Sequence, residues 1–464
     1  MKKENKQISK NISKKEFENL LVSSGLIHIF KGAKGIIWKP YGLAMMNRYM
    51  CFLRKLIPKF SIEEYFFPLL VDKRYLDKLN NEIYNFDKGV YKTVDTVLRP
   101  SGEISIYPVF KDIIKSVSDL PLKVFQISSS FRYGYKAGIF RTNEVDFFVE
   151  GHTAHASREE VEMQVKDNDL LINQVLVYFG LPVIKTERPL WTNKPVAEKS
   201  YGYDAILPNG ETLLVASNYE QMQVFSKVFN VGFIDKYKQY TNTFQSSFGF
   251  SFRPLMILLW QLCDQHGLRL LPSLAPIKVS IIEINPDNDI NVASLIDNIK
   301  QKLQNLNINF IHDNNSKLSL SKRSSKYELQ GVPIRIEIGK KEIDSGFIKL
   351  MRRDNFLFEE SSLDNFNNVV NKLLNNIEAD LRASLQNIFL DFQVYTGSSL
   401  DIINILKKNK VAKFSICFNR SCIDGLQASV GLGEVLGTSE QVNNGKCIVC
   451  KKNTKYIGWY SRRV

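Results

Sequence analysis

The sequence predicts a multidomain α+β protein, and three observations carry that reading. At 464 residues the chain exceeds the size at which one hydrophobic core keeps growing, so two or three domains are expected. Val332, Ile334, Ile336 and Ile338 alternate with Pro333, Arg335 and Glu337, which is the two-residue period of a strand with one buried face. Phe366, Val370, Leu373, Ile377, Leu381, Leu385 and Ile388 recur every three or four residues, the stripe of a long amphipathic helix that packs into a core.

Taken in order, the lysine-rich, polar residues 1–15 read as a solvated tail. They lack the apolar stretch of a secretory signal and the arginines of a transit peptide. Residues 16–275 mix strands and helices. Within them, Ser157-Arg158-Glu159-Glu160 is a capping-box pattern that starts a helix running to about Tyr178. His152 and His155 therefore fall in a strand or turn just before it. Turns rich in Asp, Asn and Ser then set off an α/β block from about 276, in which Gly331 and Gly339 punctuate the predicted strand. The long helix and a cysteine-bearing module complete the chain.

Hydrophobic content of 44% is that of an ordinary globular protein. No apolar run approaches the roughly 20 residues of a membrane span. The net charge of +14 favours a polyanionic partner, because each phosphate contact releases counterions. Lys340-Lys341, Arg352-Arg353, Lys407-Lys408 and Lys451-Lys452 are candidate phosphate contacts, each weighed against a plainly solvated surface.

Cys51 and Cys263 lie in apolar contexts and read as core residues. Cys417-x4-Cys422 and Cys447-x2-Cys450 are two close pairs separated by 24 residues. Two such pairs can meet around one tetrahedral ion, and four thiolates suit a structural zinc with no open position. The alternatives are four reduced, unliganded cysteines, or disulfides in a secreted protein, which the lack of a signal-like stretch disfavours. Gly445-Lys446 and Lys451-Lys452 flank the second pair as in a basic zinc-knuckle turn.

Arg132, Arg141 and Arg253 are each embedded in apolar sequence that reads as strand, and an arginine near a strand centre is costly unless paired or bound to an anion. The guanidinium fork suits phosphate oxygens. Structural pairing with Glu103, Glu144 or Glu150 is the plainer reading for any one of them. Three arginines beside Glu103, Glu150 and His152 suit a cleft that joins ATP to an amino acid, a reaction that relies on positioning and electrostatics.

The segments that carry these residues resemble the class II aminoacyl-tRNA synthetases, and among them the archaeal/eukaryotic type of prolyl-tRNA synthetase. Gly35-Ile36-Ile37-Trp38-Lys39-Pro40-Tyr41-Gly42 is similar to that family's opening segment. Tyr65-Phe66-Phe67-Pro68-Leu69-Leu70 resembles motif 1, whose proline lies at the dimer interface. Leu98-Arg99-Pro100-Ser101-Gly102-Glu103 resembles the LRPTSE loop, and Phe131-Arg132 the start of motif 2. Glu150-Gly151-His152-Thr153 resembles the EGHT segment, and Gln245 to Arg253 motif 3. Gly331 to Glu342 resembles the GVPLRIEIGPRDLE strand of the anticodon-binding domain.

The resemblance implies an antiparallel-sheet class II catalytic domain over 16–275, an α/β anticodon-binding domain over 276–375 and a small zinc-binding domain over 376–464. It implies ATP-dependent attachment of proline to tRNA through a prolyl-adenylate, with Mg2+, a structural Zn2+, a homodimer and a cytoplasmic location. Arg132 and Arg253 would be the catalytic cations, on the α- and γ-phosphates. Arg141 and Glu144 would join them in binding ATP. Ser101, Glu103, Arg132, Phe148, Glu150, His152 and Ser217 would bind the amino acid. Arg335 and Glu337 would contact the anticodon, and Cys417, Cys422, Cys447 and Cys450 the metal.

The chain departs from the family's pattern around the same cleft. Gly134 stands where motif 2 carries a carboxylate, and the loop from there to Arg141 is about two residues short. Leu214, Ala216 and Tyr219 replace a glutamine, a glycine and a histidine, Leu262-Cys263-Asp264 replaces HGD, and Val464 the terminal tyrosine. Two further readings follow from these changes: a paralogue that activates another amino acid, or a non-catalytic tRNA-binding regulator. A cavity filled by the Tyr219 ring would weaken the proline reading.

Overall fold

The computed structural model describes residues 12–30, 35–83, 89–133, 138–189, 191, 196–284 and 289–464, with the side chains of 441–444 left aside. Gly134 and most of the motif 2 loop, and residues 1–11 of the tail, lie outside the described residues. The chain divides into two compact units, one holding Met50–Ile257 and Phe389–Val464, the other centred on Leu258–Ile388.

The first unit is built on a sheet with eleven strands among the described residues. In spatial order they are Glu63–Glu64, Leu122–Phe131, Glu144–His155, Phe244–Phe250, Thr212–Met222, Lys199–Ile206, Ile184–Glu187, Glu434–Lys446, Asn453–Ser461, Val411–Ser415 and Gln393–Tyr395. All neighbours pair antiparallel except the outermost pair at each end. The C-terminal strands thus extend the central sheet, through the pairing of Thr438 with Glu187.

One face of the central strands packs on the helices Lys73–Glu82, Glu103–Ile113 and Val224–Phe229, around Leu76, Leu79, Tyr107, Phe110, Val124, Phe225 and Phe229. Burying each of these large side chains stabilises the fold by roughly 1.5–3 kcal/mol. Val161 and Val165 of the helix Arg158–Phe179 pack with Met222, and this helix carries Asn168, which bonds Asn218 and Ser246 on the other face. Its start follows the expected cap, with Ser157 Oγ accepting from Glu160 N at 3.3 Å, and Gly180 closes it in the left-handed conformation. His152 and His155 lie in the strand that precedes it.

The second unit carries a five-stranded sheet among the described residues, ordered Phe310–Asp313, Val279–Glu283, Ile334–Ile338, Ile348–Arg352 and Phe358–Ser361. The first three strands run parallel and the last two pair antiparallel. Ile334, Ile336 and Ile338 are fully buried while Arg335 and Glu337 are partly exposed, the alternation read from the sequence. The long helix runs Phe366–Phe392.

Three expectations are corrected. Cys51 is exposed on the helix Pro40–Leu56, whereas Cys263 is buried and its thiol is pushed up to about 12 by that burial. Arg352 and Arg353 are not open to a phosphate: Arg352 pairs with Asp354 at 2.6 Å and Asp380 at 2.5 Å, and Arg353 with Asp264 at 2.7 Å. Arg132, Arg141 and Arg253 do not sit at strand centres. Arg132 follows the end of a strand, Arg141 is exposed in a turn bridged to Gly138, and Arg253 opens the helix Arg253–Leu262.

Candidate active site

Strand register gathers the predicted residues. Ser217 pairs with Gly249, Gly249 with Glu150 and Glu150 with Gln126, so four strands place these positions in one row. The next row runs Tyr219, Ser247, His152 and Val124. Side chains two apart along a strand share a face. The face these rows share opens into a cavity of about 290 Å³ lined by Ser101, Glu103, Arg132, Phe148, Glu150, His152, Ser217 and Arg253. Leu214, Ala216 and Tyr219 line it too. Tyr219 lines the cavity without filling it. Arg141 and Glu144 are exposed and do not line it.

At one end, buried carboxylates are tightly bonded. Glu150 accepts from Gln126 Nε2 at 2.8 Å and from Gly102 N at 3.2 Å. Arg99 Nη1 lies 3.9 Å and His152 Nε2 3.6 Å from its oxygens. Burial raises the Glu150 carboxyl, but the His152 bond, the His152 and Arg99 charges and the Gly102 N–H more than offset it, holding it below the usual carboxylate range. Burial raises the Glu103 carboxyl above that range, with His152 opposing and Glu150 adding to the shift. Ser101 Oγ donates to Glu103 Oε2. A Cβ on Gly102 would meet Glu150 Oε1 at 2.5 Å, so a side chain at this position requires the Glu150 carboxylate to shift.

At the other end the cations are held by backbone. Arg132 Nε donates to Pro100 O at 2.7 Å. Arg253 donates to Phe140 O and Leu214 O, each at 3.0 Å. Burial lowers the Arg253 guanidinium to about 10, aided by the charges of Arg141, Arg132 and Arg463. This is a cluster of like charges whose self-repulsion a polyphosphate would relieve.

Arg99, Gln126, Tyr107 and Gln221 were not singled out from the sequence. Arg99 lay inside the LRPSGE segment, and an arginine between Leu98 and Pro100 was the available signal; the structure buries it fully. The other three are polar residues inside apolar strands and a helix, and only strand register and helix packing reveal what they touch.

The four clustered cysteines converge as their spacing predicts. Their sulfurs all lie within 4.8 Å of one another, and Cys417 Sγ is 3.8 Å from Cys450 Sγ. Zinc–sulfur bonds of about 2.3 Å in a tetrahedron place sulfurs about 3.8 Å apart, so the set fits zinc. Cys422 sits in the first turn of the helix Arg420–Val430, while Cys447 and Cys450 bracket a tight turn in which Lys451 N donates to Cys447 O at 3.0 Å. Burial raises the Cys447 thiol, but backbone N–H donors from Cys417, Cys450 and Val449 offset this and bring it to about 7.

In the second unit, Arg335 bonds Glu328 and lies 3.1 Å from Glu337, so both expected anticodon contacts are already engaged in ion pairs. Lys340, Lys341, Lys407, Lys408, Lys451 and Lys452 are exposed. Among the described residues no helix is long and apolar enough to cross a membrane.

A cavity on an antiparallel sheet, with arginines at one end and carboxylates at the other, is the class II aminoacyl-tRNA synthetase arrangement. Residues 84–261 match the family described as the class II tRNA synthetase core domain (G, H, P, S and T), and 278–373 match the anticodon binding domain. The proline–tRNA ligase of Sulfurisphaera tokodaii is 32% identical over 442 residues, covering 91% of each chain. That of Methanobrevibacter smithii is 29% identical over 457 residues, 95% of this chain and 97% of the relative. The chain belongs to the prolyl-tRNA synthetase family, the aminoacyl-tRNA ligases specific for proline. The Giardia lamblia prolyl-tRNA synthetase in complex with prolyl-adenylate shares the fold, with a TM-score of 0.90 at 23% identity over 97% of both chains. The Cryptosporidium parvum enzyme complexed with L-proline and AMP superposes with a TM-score of 0.90 at 22% identity, covering 99% and 96%.

Proposed function

We propose that this chain activates proline with ATP to form prolyl-adenylate and transfers the prolyl group to tRNA. The carrying observation is the two-ended cavity, with buried, partnered Glu150 and Glu103 at one end and the Arg132–Arg253 cluster at the other. Proline's imino cation would lie against Glu103, Ser101 and Glu150, with Phe148, His152 and Ser217 completing the pocket. Its carboxylate oxygen would attack the α-phosphorus of ATP, which enters with Mg2+ as substrate. Arg132 would neutralise charge on the α-phosphate and Arg253 on the γ-phosphate, so that pyrophosphate leaves. The 3′-terminal hydroxyl of tRNA then attacks the activated carbonyl and AMP departs.

One departure keeps a contact that this chemistry needs. Leu214 replaces a side chain, yet Arg253 is held by the Leu214 carbonyl, which any residue supplies. The exposed lysine pairs, with the anticodon-binding domain, suit tRNA phosphates, and the protein would work as a cytoplasmic homodimer. Cys417, Cys422, Cys447 and Cys450 would hold one Zn2+, which when bound supplies a closed structural crosslink. The test is charging of tRNA with labelled proline by the purified protein. ATP-dependent, ribonuclease-sensitive product is expected, and its absence with proline in the presence of adenylate formation would confine the chain to the first half-reaction.

A further inference from the structure

Tyr107 lies beneath the cavity and does not line it. It sits mid-helix in Glu103–Ile113, fully buried, its ring packed on Phe110, Phe225 and Phe229. A hydroxyl in such a setting is costly unless bonded. Its oxygen is 3.1 Å from His152 Nδ1 and is hydrogen-bonded to Gln221 Oε1. Both partners line the cavity, from strands on either side of Phe244–Phe250.

Gln221 Oε1 can only accept, so the Tyr107 hydroxyl donates to it. Towards His152 the same oxygen can then only accept, which places a proton on Nδ1. The ring's other nitrogen, Nε2, is aimed at Glu150 Oε2, 3.6 Å away. One hydroxyl thereby sets the ring orientation of His152, the amide orientation of Gln221, and the face that His152 turns to Glu150.

We infer that Tyr107 is a positioning residue of the amino-acid pocket, acting through His152 and Gln221 without touching substrate. The inference rests on the reading of this cavity as the proline site, and it deepens that reading by naming what aligns the pocket wall. The LRPSGE helix thus serves the pocket twice: Ser101 and Glu103 from its start, and Tyr107 one turn further on from below.

Two measurements test it. The chain has five histidines, so 15N-histidine labelling with a His152→Gln reference assigns the ring signals. The wild-type protein should show a hydrogen-bonded Nδ1–H on His152. An Nδ1 that carries no proton in the wild type overturns the inference whatever the activity. Second, Tyr107→Phe keeps the ring packing and removes only the hydroxyl. In proline-dependent ATP–pyrophosphate exchange its KM for proline should rise about tenfold, the scale of one lost buried hydrogen bond, with kcat and the KM for ATP within about twofold. An unchanged proline KM, or equal losses towards proline and ATP, overturns it. Wild-type protein with no proline-dependent exchange would instead sink the proposed function, and the ring spectrum would still judge Tyr107.

Discussion

The two ends of the cavity are held together by opposite means. At the carboxylate end, where the proposed function places the amino acid, the charged groups are met by counter-charges or donors: Glu150 has Arg99, Gln126, His152 and the Gly102 N–H. At the arginine end, where the proposed function places the phosphates, Arg132 and Arg253 are oriented by the carbonyls of Pro100, Phe140 and Leu214, and burial and neighbouring cations depress Arg253. The first end is preorganised by attraction and should lose stability when a member is removed. At the second, Arg253 is held against the charges of neighbouring arginines, and its removal should cost rate instead.

The largest test of that contrast is Glu150→Gln. It leaves the buried Arg99 guanidinium without its counter-charge, so stability should fall by about 3–5 kcal/mol in chemical denaturation. Proline-dependent exchange should fall by about a thousandfold or more. Arg253→Gln should cut kcat for exchange by roughly 10²–10³ while the melting temperature holds or rises, because a like-charge contact is gone. Melting as early as the Glu150 variant would erase the distinction between the ends.

A smaller effect is expected on the sheet's far face. Burial, aided by Lys123, lowers the His155 imidazole to about 3. Above its unfolded value of about 6.5 both states are neutral and this site is neutral to stability. As pH falls towards 3 the unfolded chain takes up a proton that the folded chain refuses, so stability is lost. Between pH 7 and pH 5 the loss is about 2 kcal/mol, and His155→Asn should flatten it without changing exchange. The smallest expected change is Gly102→Ala, whose methyl would push on the Glu150 carboxylate 2.5 Å away. It should raise the proline KM by about tenfold and leave the ATP KM alone, because only the amino-acid end is touched. A raised ATP KM would show the ends to be coupled.

What could be read from the sequence follows the range of the forces involved. The strand Ile334–Ile338, the capped helix from Arg158 and the four-cysteine cluster are set by local pattern and spacing, and they stand as expected. Arg141 was misplaced because apolar neighbours suggested a strand, whereas Gly138 and Arg141 close a turn. Cys51 was misplaced because one apolar-looking stretch of an amphipathic helix includes its exposed positions. Arg352 and Arg353 found carboxylates as far away as Asp264 and Asp380, pairings no local pattern encodes. The same holds for Gln126 and Gln221, which reach the site through strand register, and for Tyr107, which reaches His152 and Gln221 from the helix Glu103–Ile113. Nor does local pattern foretell that the cysteine module's strands continue the catalytic sheet beyond Glu187.

The most direct measurement of the central claim is ATP–pyrophosphate exchange by the purified protein across a panel of amino acids. Exchange with L-proline, and little with the rest, is predicted. Exchange with a different amino acid and none with proline would contradict it, and would turn Ala216 and Tyr219 from tolerated wall residues into the signature of another substrate.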